Sequence, residues 1–318
     1  MPDQLPPLAS FEPVRSTVIS VPSDKDVPDV PFAAPPVLEL ANGPSHTVQF
    51  TSSQYSQATP SACTILATEA ALRILYMTET VSKAELPDRV DSSWGDSVIA
   101  AASRYTSSTH LDFETLHEKV QRYRRNLVVE KMIQCPVTNL RAELQTILSQ
   151  HNNSTSRSRP LAFVITKPPE TISAVFVPVP YYRPAGNARR KRDKGKKRAV
   201  IDSKPAPPLR TTSITYDRKF ALFDSHPRPP LLQSSYVQFD QSFDAFTNAL
   251  ERLFTPVESI AGLTAYERHQ LELMSIAQVN VMHLSPEAHD AIQRGVFHFD
   301  ANTDASLIND IESLSRWG

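Results

Sequence analysis

Residues 61–77 read SACTILATEAALRILYM, and this stretch sets the expectation for the whole fold. Alanine and leucine are strong helix formers, and the apolar residues lie on nearly every side of a 3.6-residue repeat. A helix that is apolar all round has no face suited to water, so we expect it at the centre of the molecule. Thr59 or Ser61 is available as an N-cap, which would place Cys63 in the first turn.

The segments after this helix predict an α+β fold. Amphipathic helical patterns cover 107–126 and 137–153, and strand-like apolar runs follow in succession. Those runs are RPLAFVITKPP (159–169), ETISAVFVPVPYY (170–182), SITYDRKFALFDS (213–225) and SSYVQFD (234–240). Helices followed by strands joined by turns indicate a central buried helix packed on an antiparallel sheet.

The two ends of the chain have different compositions. Residues 1–45 contain ten prolines, which block helices and sheet ladders, so they predict a disordered arm before a folded domain over 46–250. Residues 251–318 continue the amphipathic pattern of 242–254, broken at Ser285-Pro286, and predict a helical tail.

Composition limits the classes of function. The 318 residues carry a net charge of -1, and two cysteines are too few for a disulfide framework or a cysteine-based zinc site. The histidines of the tail lack zinc spacing, so we expect no metal and no cofactor. Without a signal peptide or about 18 to 20 uninterrupted apolar residues, we expect no membrane partner and a location in the cytoplasm, the nucleus or both.

A strongly basic segment interrupts the strand-like runs at about 183–212. Between 183 and 198 it has nine basic residues and one acidic residue, with few apolar ones. It is predicted to be a disordered insert, with nuclear import or polyanion binding as an equal alternative. No aromatic residue lies within its basic core, so we expect no specific nucleic-acid partner.

The sequence FALFDSHPRPP (220–230) ends a strand-like run in a carboxylate and an imidazole. Side chains alternate along a strand, so Asp224 and His226 point the same way. A carboxylate beside an imidazole fixes its tautomer and stabilises its charged form, which suits a general base. The alternative is a polar strand end that enters a proline turn.

Cys63 is the candidate nucleophile, because unpaired N–H groups and the dipole at a helix start favour a thiolate. Gln57 and Gln54 precede it in the loop SQYSQ, where a side-chain amide could stabilise the oxyanion of a tetrahedral intermediate. The alternative for Cys63 is a small buried hydrophobe, and we interpret Cys135 as a packing residue.

The FDSHPR string (223–228) and the spacing from Gln57 to Cys63 resemble those of the viral-tegument-type deubiquitinases. These are papain-like cysteine proteases of herpesvirus large tegument proteins and related cellular sequences. SQATPSACTILATEAAL, KPPETISAVF and KFALFDSHPRP also look like a group of fungal proteins with such a domain. The resemblance covers roughly 46–245.

The resemblance implies a papain-like fold and a role for each matched residue. Cys63 would be the nucleophile, His226 the general base and acid, and Asp224 its orienting partner. Gln57, or alternatively Gln54, would be the oxyanion donor. The implied function is a thiol-dependent deubiquitinase whose partner is ubiquitin or a ubiquitin-like protein.

Two alternatives stay open beside this reading. One is a catalytically inactive ubiquitin-binding or scaffold module of the same fold. The other is a papain-like peptidase or acyltransferase with another substrate, because a triad determines the chemistry but not the acyl donor. The sequence leaves the oligomeric state and the linkage preference open.

Overall fold

The structure is a computed structural model that describes residues 46–56, 59, 61–83, 85–154, 156–182, 214–254, 264–299 and 301–316. The predicted arm, the basic insert and Gln57 lie outside the described residues. The described residues belong to one compact unit.

The described elements comprise strands, α-helices and one 3-10 turn (Val137–Asn139). The strands are β1 (His46–Gln49), β2 (Leu127–Pro136), β3 (Leu161–Lys167), β4 (Glu170–Tyr182), β5 (Ile214–Asp224), β6 (Tyr236–Asp240) and β7 (Ile276–Leu284). The helices are α1 (Cys63–Thr80), α2 (Leu86–Arg89), α3 (Ser92–Ala101), α4 (Phe113–Lys119), α5 (Gln121–Asn126), α6 (Leu140–Asn153), α7 (Phe243–Leu253), α8 (Ala265–Met274), α9 (Pro286–Gln293) and α10 (Ala301–Ser315).

The strands form one seven-stranded sheet in the order β1-β6-β5-β4-β3-β7-β2. Every neighbouring pair is antiparallel. The predicted α+β class is therefore confirmed, and the predicted strands at 159–169, 170–182, 213–225 and 234–240 correspond to β3, β4, β5 and β6.

Helix α1 packs on one face of this sheet, as the sequence predicts for a central helix. Its residues from Cys63 to Leu75 are all buried. On β3, Ala162 and Val164 face the α1 side, while Phe163 and Ile165 belong to a second core with α6 and α7. This alternation explains the continuous apolar run of β3, because both of its faces are covered.

The second core is held by aromatic as well as aliphatic contacts. The rings of Phe220 on β5 and Phe246 on α7 stack with their centroids 4.7 Å apart. Burial of each such ring contributes about 1.5–3 kcal/mol relative to leaving it exposed. Strand β5 is thereby fixed between two helical layers, and its C-terminal end has a defined position.

The prediction of a helical tail is wrong for its central part. β7 lies inside the sheet, where Ala162 of β3 pairs with Met282 on one side and Val129 of β2 pairs with the same residue on the other. The run IAQVNVMHL has four consecutive buried residues at 279–282, as expected for a strand inside a sheet that is covered on both faces, and three of its nine residues are β-branched. The 251–318 segment therefore supplies part of the sheet.

The predicted cap of α1 is also wrong. Ala62 is the N-cap and makes no side-chain capping bond. Ser61 Oγ instead donates to the Ser108 carbonyl oxygen at 2.7 Å, and Thr59 Oγ1 donates to the Gln54 carbonyl oxygen at 3.0 Å. These hydroxyls connect neighbouring loops to the helix start. Among the helices of the described residues, none has the length and apolarity needed to cross a membrane.

Candidate active site

The thiol of Cys63 lies at the start of α1, where the sheet side of the helix meets the end of β5. Cys63 is the first residue of the helix and is 1% exposed. Because no side chain caps this turn, its backbone N–H groups contribute their partial positive charge to the space around the sulfur.

His226 follows the end of β5 and is oriented by Asp224, the last residue of that strand. Asp224 Oδ1 lies 2.7 Å from His226 Nδ1, and it also accepts from the His226 backbone N–H at 2.9 Å. Both residues are buried. This double contact fixes the ring orientation and leaves Nε2 as the nitrogen available for proton transfer.

Arg228 and Tyr236 complete the environment of the Asp224 carboxylate. Arg228 Nε donates to Asp224 Oδ2 at 2.7 Å, and the Tyr236 hydroxyl donates to the same oxygen at 3.4 Å. Burial alone would raise the pKa of Asp224, but the hydrogen bond from His226 and the charge of Arg228 lower it overall. The carboxylate is therefore charged at neutral pH.

Arg228 also connects this strand end to the turn between β3 and β4. Its two terminal nitrogens donate to the two carboxylate oxygens of Glu170 at 3.0 and 2.9 Å. A bidentate pair of this kind is geometrically specific. It holds the turn beside Cys63, whose sulfur lies 3.9 Å from the Pro169 carbonyl oxygen.

The pKa of Cys63 is lowered from 9.0 to about 6. Burial by itself would raise it, but hydrogen bonds from His110 and His226, and the positive charge of His226, stabilise the thiolate. Thr171 contributes a further hydrogen bond. Only the thiol form can donate to the Pro169 carbonyl, so that contact opposes ionisation.

The pKa of His226 is raised from 6.5 to about 9. Burial would lower it, but the hydrogen bond to Asp224 and the interactions with Cys63 favour the charged ring. Below about pH 6 the thiolate is protonated, and above about pH 9 the imidazolium is deprotonated. A thiolate–imidazolium pair therefore exists between these two values.

Of the two candidate glutamines, Gln54 is the one that the structure describes. It is buried, its backbone N–H donates to the Ser225 carbonyl oxygen at 3.5 Å, and its Oε1 accepts from Ser225 Oγ at 3.0 Å. Gln54 thus connects the loop before Cys63, to which it belongs, with the segment that carries His226. Gln54 stays a candidate for the oxyanion donor, and Gln57 lies outside the described residues.

Sequence reasoning missed one residue of the site, His110. Its Nδ1 lies 3.9 Å from Cys63 Sγ, and its side chain is exposed. Its pKa is raised, chiefly by the hydrogen bond to Cys63. The surrounding sequence SSTHLDF carries no motif, so only the packing of the loop between α3 and α4 brings His110 to the sulfur.

Cys135 differs from Cys63 in its place in the fold and in the direction in which its pKa departs from the ordinary value. It lies on the edge strand β2, is buried, and burial raises its pKa. It is the second of two free cysteines, and its surroundings agree with the predicted packing role.

The described residues contain no group of three or more side chains placed to bind a metal ion. A cavity of about 420 Å³ lies beside the loop that carries His110, and its lining includes Tyr105, Thr109 and Leu111. Another of about 510 Å³ lies near the C-terminal end of α1. Neither lining contains Cys63.

Comparison of the chain with models of known protein families finds no match, and comparison with curated proteins finds no similar sequence. A functional proposal therefore depends on the geometry of the site and on the sequence resemblance.

Proposed function

We propose that this chain is a thiol-dependent deubiquitinase with a papain-like fold, which removes ubiquitin or a ubiquitin-like modifier from proteins. The observation that carries the proposal is the convergence of three predicted residues. Asp224 holds His226 at 2.7 Å, and His226 interacts with the Cys63 thiol at the start of a buried helix. Nucleophile, base and orienting group in this relation suit acyl transfer.

The chemistry follows from the thiolate–imidazolium pair. The Cys63 thiolate attacks the carbonyl carbon of the isopeptide bond, the C–N bond breaks, and the leaving lysine amine takes the proton of His226. Water then attacks the resulting thioester and gives a proton to His226, and the C–S bond breaks. The modifier leaves as an acid that loses its proton to solvent, and the thiolate–imidazolium pair is restored.

Exposed apolar side chains beside the site favour a protein as the substrate. Tyr55 is 53% exposed, and its ring centroid lies 6.1 Å from that of His226. Leu231 lies in the turn after His226 and is 47% exposed. Tyrosine is enriched among the residues that contribute most to protein interfaces. The choice of ubiquitin comes from the sequence resemblance.

One observation favours a second candidate, a catalytically inactive ubiquitin-binding module of the same fold. Cys63 is 1% exposed, and its sulfur is flanked by the Pro169 carbonyl and by His110. A carbonyl carbon could reach the sulfur only after one of these neighbours moves. A site that stays closed in this way would bind a partner without turnover.

Ubiquitin with a C-terminal electrophile distinguishes these candidates. The proposal expects a covalent adduct that peptide mapping assigns to Cys63 and that is lost in Cys63→Ala. Cys135→Ser is the matched control and should be labelled as the parent is, because Cys135 lies on the edge strand β2 whereas Cys63 begins helix α1. Binding without an adduct would favour the inactive module, and neither binding nor an adduct would reject ubiquitin as the substrate.

A further inference from the structure

The loop between α3 and α4 places His110 beside the nucleophile, and several hydrogen bonds define its course. Ser61, two residues before Cys63, donates from Oγ to the Ser108 carbonyl oxygen at 2.7 Å. The buried Tyr105 hydroxyl donates to the Thr109 carbonyl oxygen. These contacts hold the backbone on both sides of Thr109, so the approach of His110 to the sulfur is built into the fold.

Two imidazoles thus approach one sulfur from different surroundings. His226 is buried and is oriented by Asp224 through its Nδ1. His110 is exposed to solvent, and its Nδ1 lies 3.9 Å from Cys63 Sγ. His226 has the oriented geometry of the proton-transferring base, whereas His110 can act on the sulfur by charge and hydrogen bonding.

We infer that His110 is a further catalytic residue, a second imidazole that stabilises the Cys63 thiolate from the solvent side and so extends its reactivity to mildly acidic pH. This inference deepens the proposed function, because it concerns the same nucleophile. The thiolate chemistry that it describes does not depend on which protein is the substrate.

The charged and titratable groups that act on these side chains come from several elements. Cys63 interacts with His226 after β5, with His110 on the α3–α4 loop, and with the Tyr105 hydroxyl. His110 is stabilised in its charged form by Cys63 and opposed by the charge of His226. The raised pKa of His110 therefore depends on the thiolate, which forms beside the already charged ring as pH rises through about 6.

This coupling predicts an effect confined to one pH range. A charged His110 stabilises the thiolate only where both groups are ionised, which is above the pKa of Cys63 and below the raised pKa of His110. At high pH, His110 is neutral, and Cys63 is a thiolate even without stabilisation by the charge of His110. Removal of the His110 imidazole should therefore lower the rate at which Cys63 reacts near pH 6. It should leave that rate unchanged well above the pKa of Cys63.

The test is the pH dependence of alkylation of Cys63 by iodoacetamide, a small uncharged reagent, from about pH 5 to about pH 10. The full chain carries Cys135→Ser as background, so that one thiol remains. His110→Gln removes the charge, and His110→Lys keeps a positive charge. His269→Gln is the matched control, because it removes a 65% exposed imidazole on α8.

We expect His110→Gln to raise the midpoint of the alkylation profile by about one pH unit, which lowers the rate near pH 6 by up to about tenfold. His110→Lys should keep a midpoint closer to that of the parent, and His269→Gln should match the parent. Thermal melting of each variant checks that the fold is retained, as the exposed position of His110 predicts.

A His110→Gln profile that superimposes on the parent would overturn the inference, and so would an equal shift in His110→Lys. The parent profile must itself have a midpoint well below 9.0, the ordinary thiol value. Failure of ubiquitin labelling together with a shifted His110→Gln profile would reject the proposed substrate and retain the role of His110.

Discussion

Two groups of buried and half-buried charged side chains lie beside helix α1, and they differ in the kinds of side chain that they contain. The thiol cluster, at the start of the helix, consists of Cys63, His226, Asp224, Arg228 and Glu170. The ionic cluster lies about 9 Å further along the helix axis. It consists of Glu69, Arg73, Arg122 and Asp304.

The ionic cluster connects α1 to α5 and α10. Glu69 Oε1 accepts from Arg73 at 2.6 Å and from Arg122 at 2.8 Å, and both guanidiniums also contact Asp304 at 3.0 Å. The Phe299 ring covers both guanidiniums, at 4.9 and 4.5 Å from its centroid. Each guanidinium is therefore paired with two carboxylates and covered by one aromatic ring.

The comparison teaches that a cluster of charged side chains suits catalysis where it contains a thiol and an imidazole whose pKa values lie on either side of neutral pH. In the thiol cluster, Cys63 and His226 form a thiolate–imidazolium pair between about pH 6 and about pH 9, and exposed groups such as His110 and Tyr55 border the site. The ionic cluster contains only carboxylates and guanidiniums in mutual ion pairs, and these pairs connect the C-terminal helix α10 to α1.

Among the substitutions that test this comparison, His226→Ala is expected to have the largest effect on enzymatic activity. Loss of this imidazole removes both the proton acceptor and the charge that stabilises the thiolate, so turnover of ubiquitin with a fluorogenic C-terminal amide should fall to background. His269→Ala, on exposed α8, should retain parental activity. Substantial activity in His226→Ala would show that the base is elsewhere.

The next largest effect separates the two glutamines. If Gln54 is the oxyanion donor, Gln54→Ala should lower the turnover rate by about 10²-fold to 10³-fold, with little change in alkylation of Cys63 by iodoacetamide. Gln57→Ala is the matched comparison. A loss confined to Gln57→Ala would assign the oxyanion to that residue and leave Gln54 as the partner of Ser225.

A smaller effect on activity, but a clear one on stability, is expected from Glu69→Ala. It removes the buried one of the two carboxylates that Arg73 and Arg122 share and leaves them Asp304, which should lower the free energy of unfolding by about 3 kcal/mol. Urea denaturation measures this change, with the exposed Glu118→Ala as control. The alkylation midpoint of Cys63 should stay the same, and a shift would show that the two clusters are coupled.

Much of the fold follows from local patterns in the sequence. Helix α1 and strands β3 to β6 have periodicities that a short window reveals, and the confirmed α+β class follows from their order. The strand β7 was missed because a helical pattern directly precedes it and its partners, β3 and β2, lie far away in the sequence. Long-range pairing of this kind leaves little local signal.

The sequence predicts those residues of the site whose positions depend on their neighbours in the chain. Asp224 and His226 are two residues apart on a strand end, so alternation alone predicts that they share a face. Cys63 was identifiable from its place at a helix start. His110 was not, because its contact with the sulfur depends on a loop fixed by Ser61 and Tyr105 through tertiary contacts.

The central claim is that His226 is a charged imidazolium paired with the Cys63 thiolate at neutral pH, and NMR titration of the His226 ring tests it most directly. The account predicts a ring that is protonated at neutral pH and deprotonates at about pH 9. In Cys63→Ala the midpoint should fall, because the thiolate no longer stabilises the charge. A His226 ring that is already neutral at pH 7, with the same midpoint in the parent and in Cys63→Ala, would contradict the ion pair.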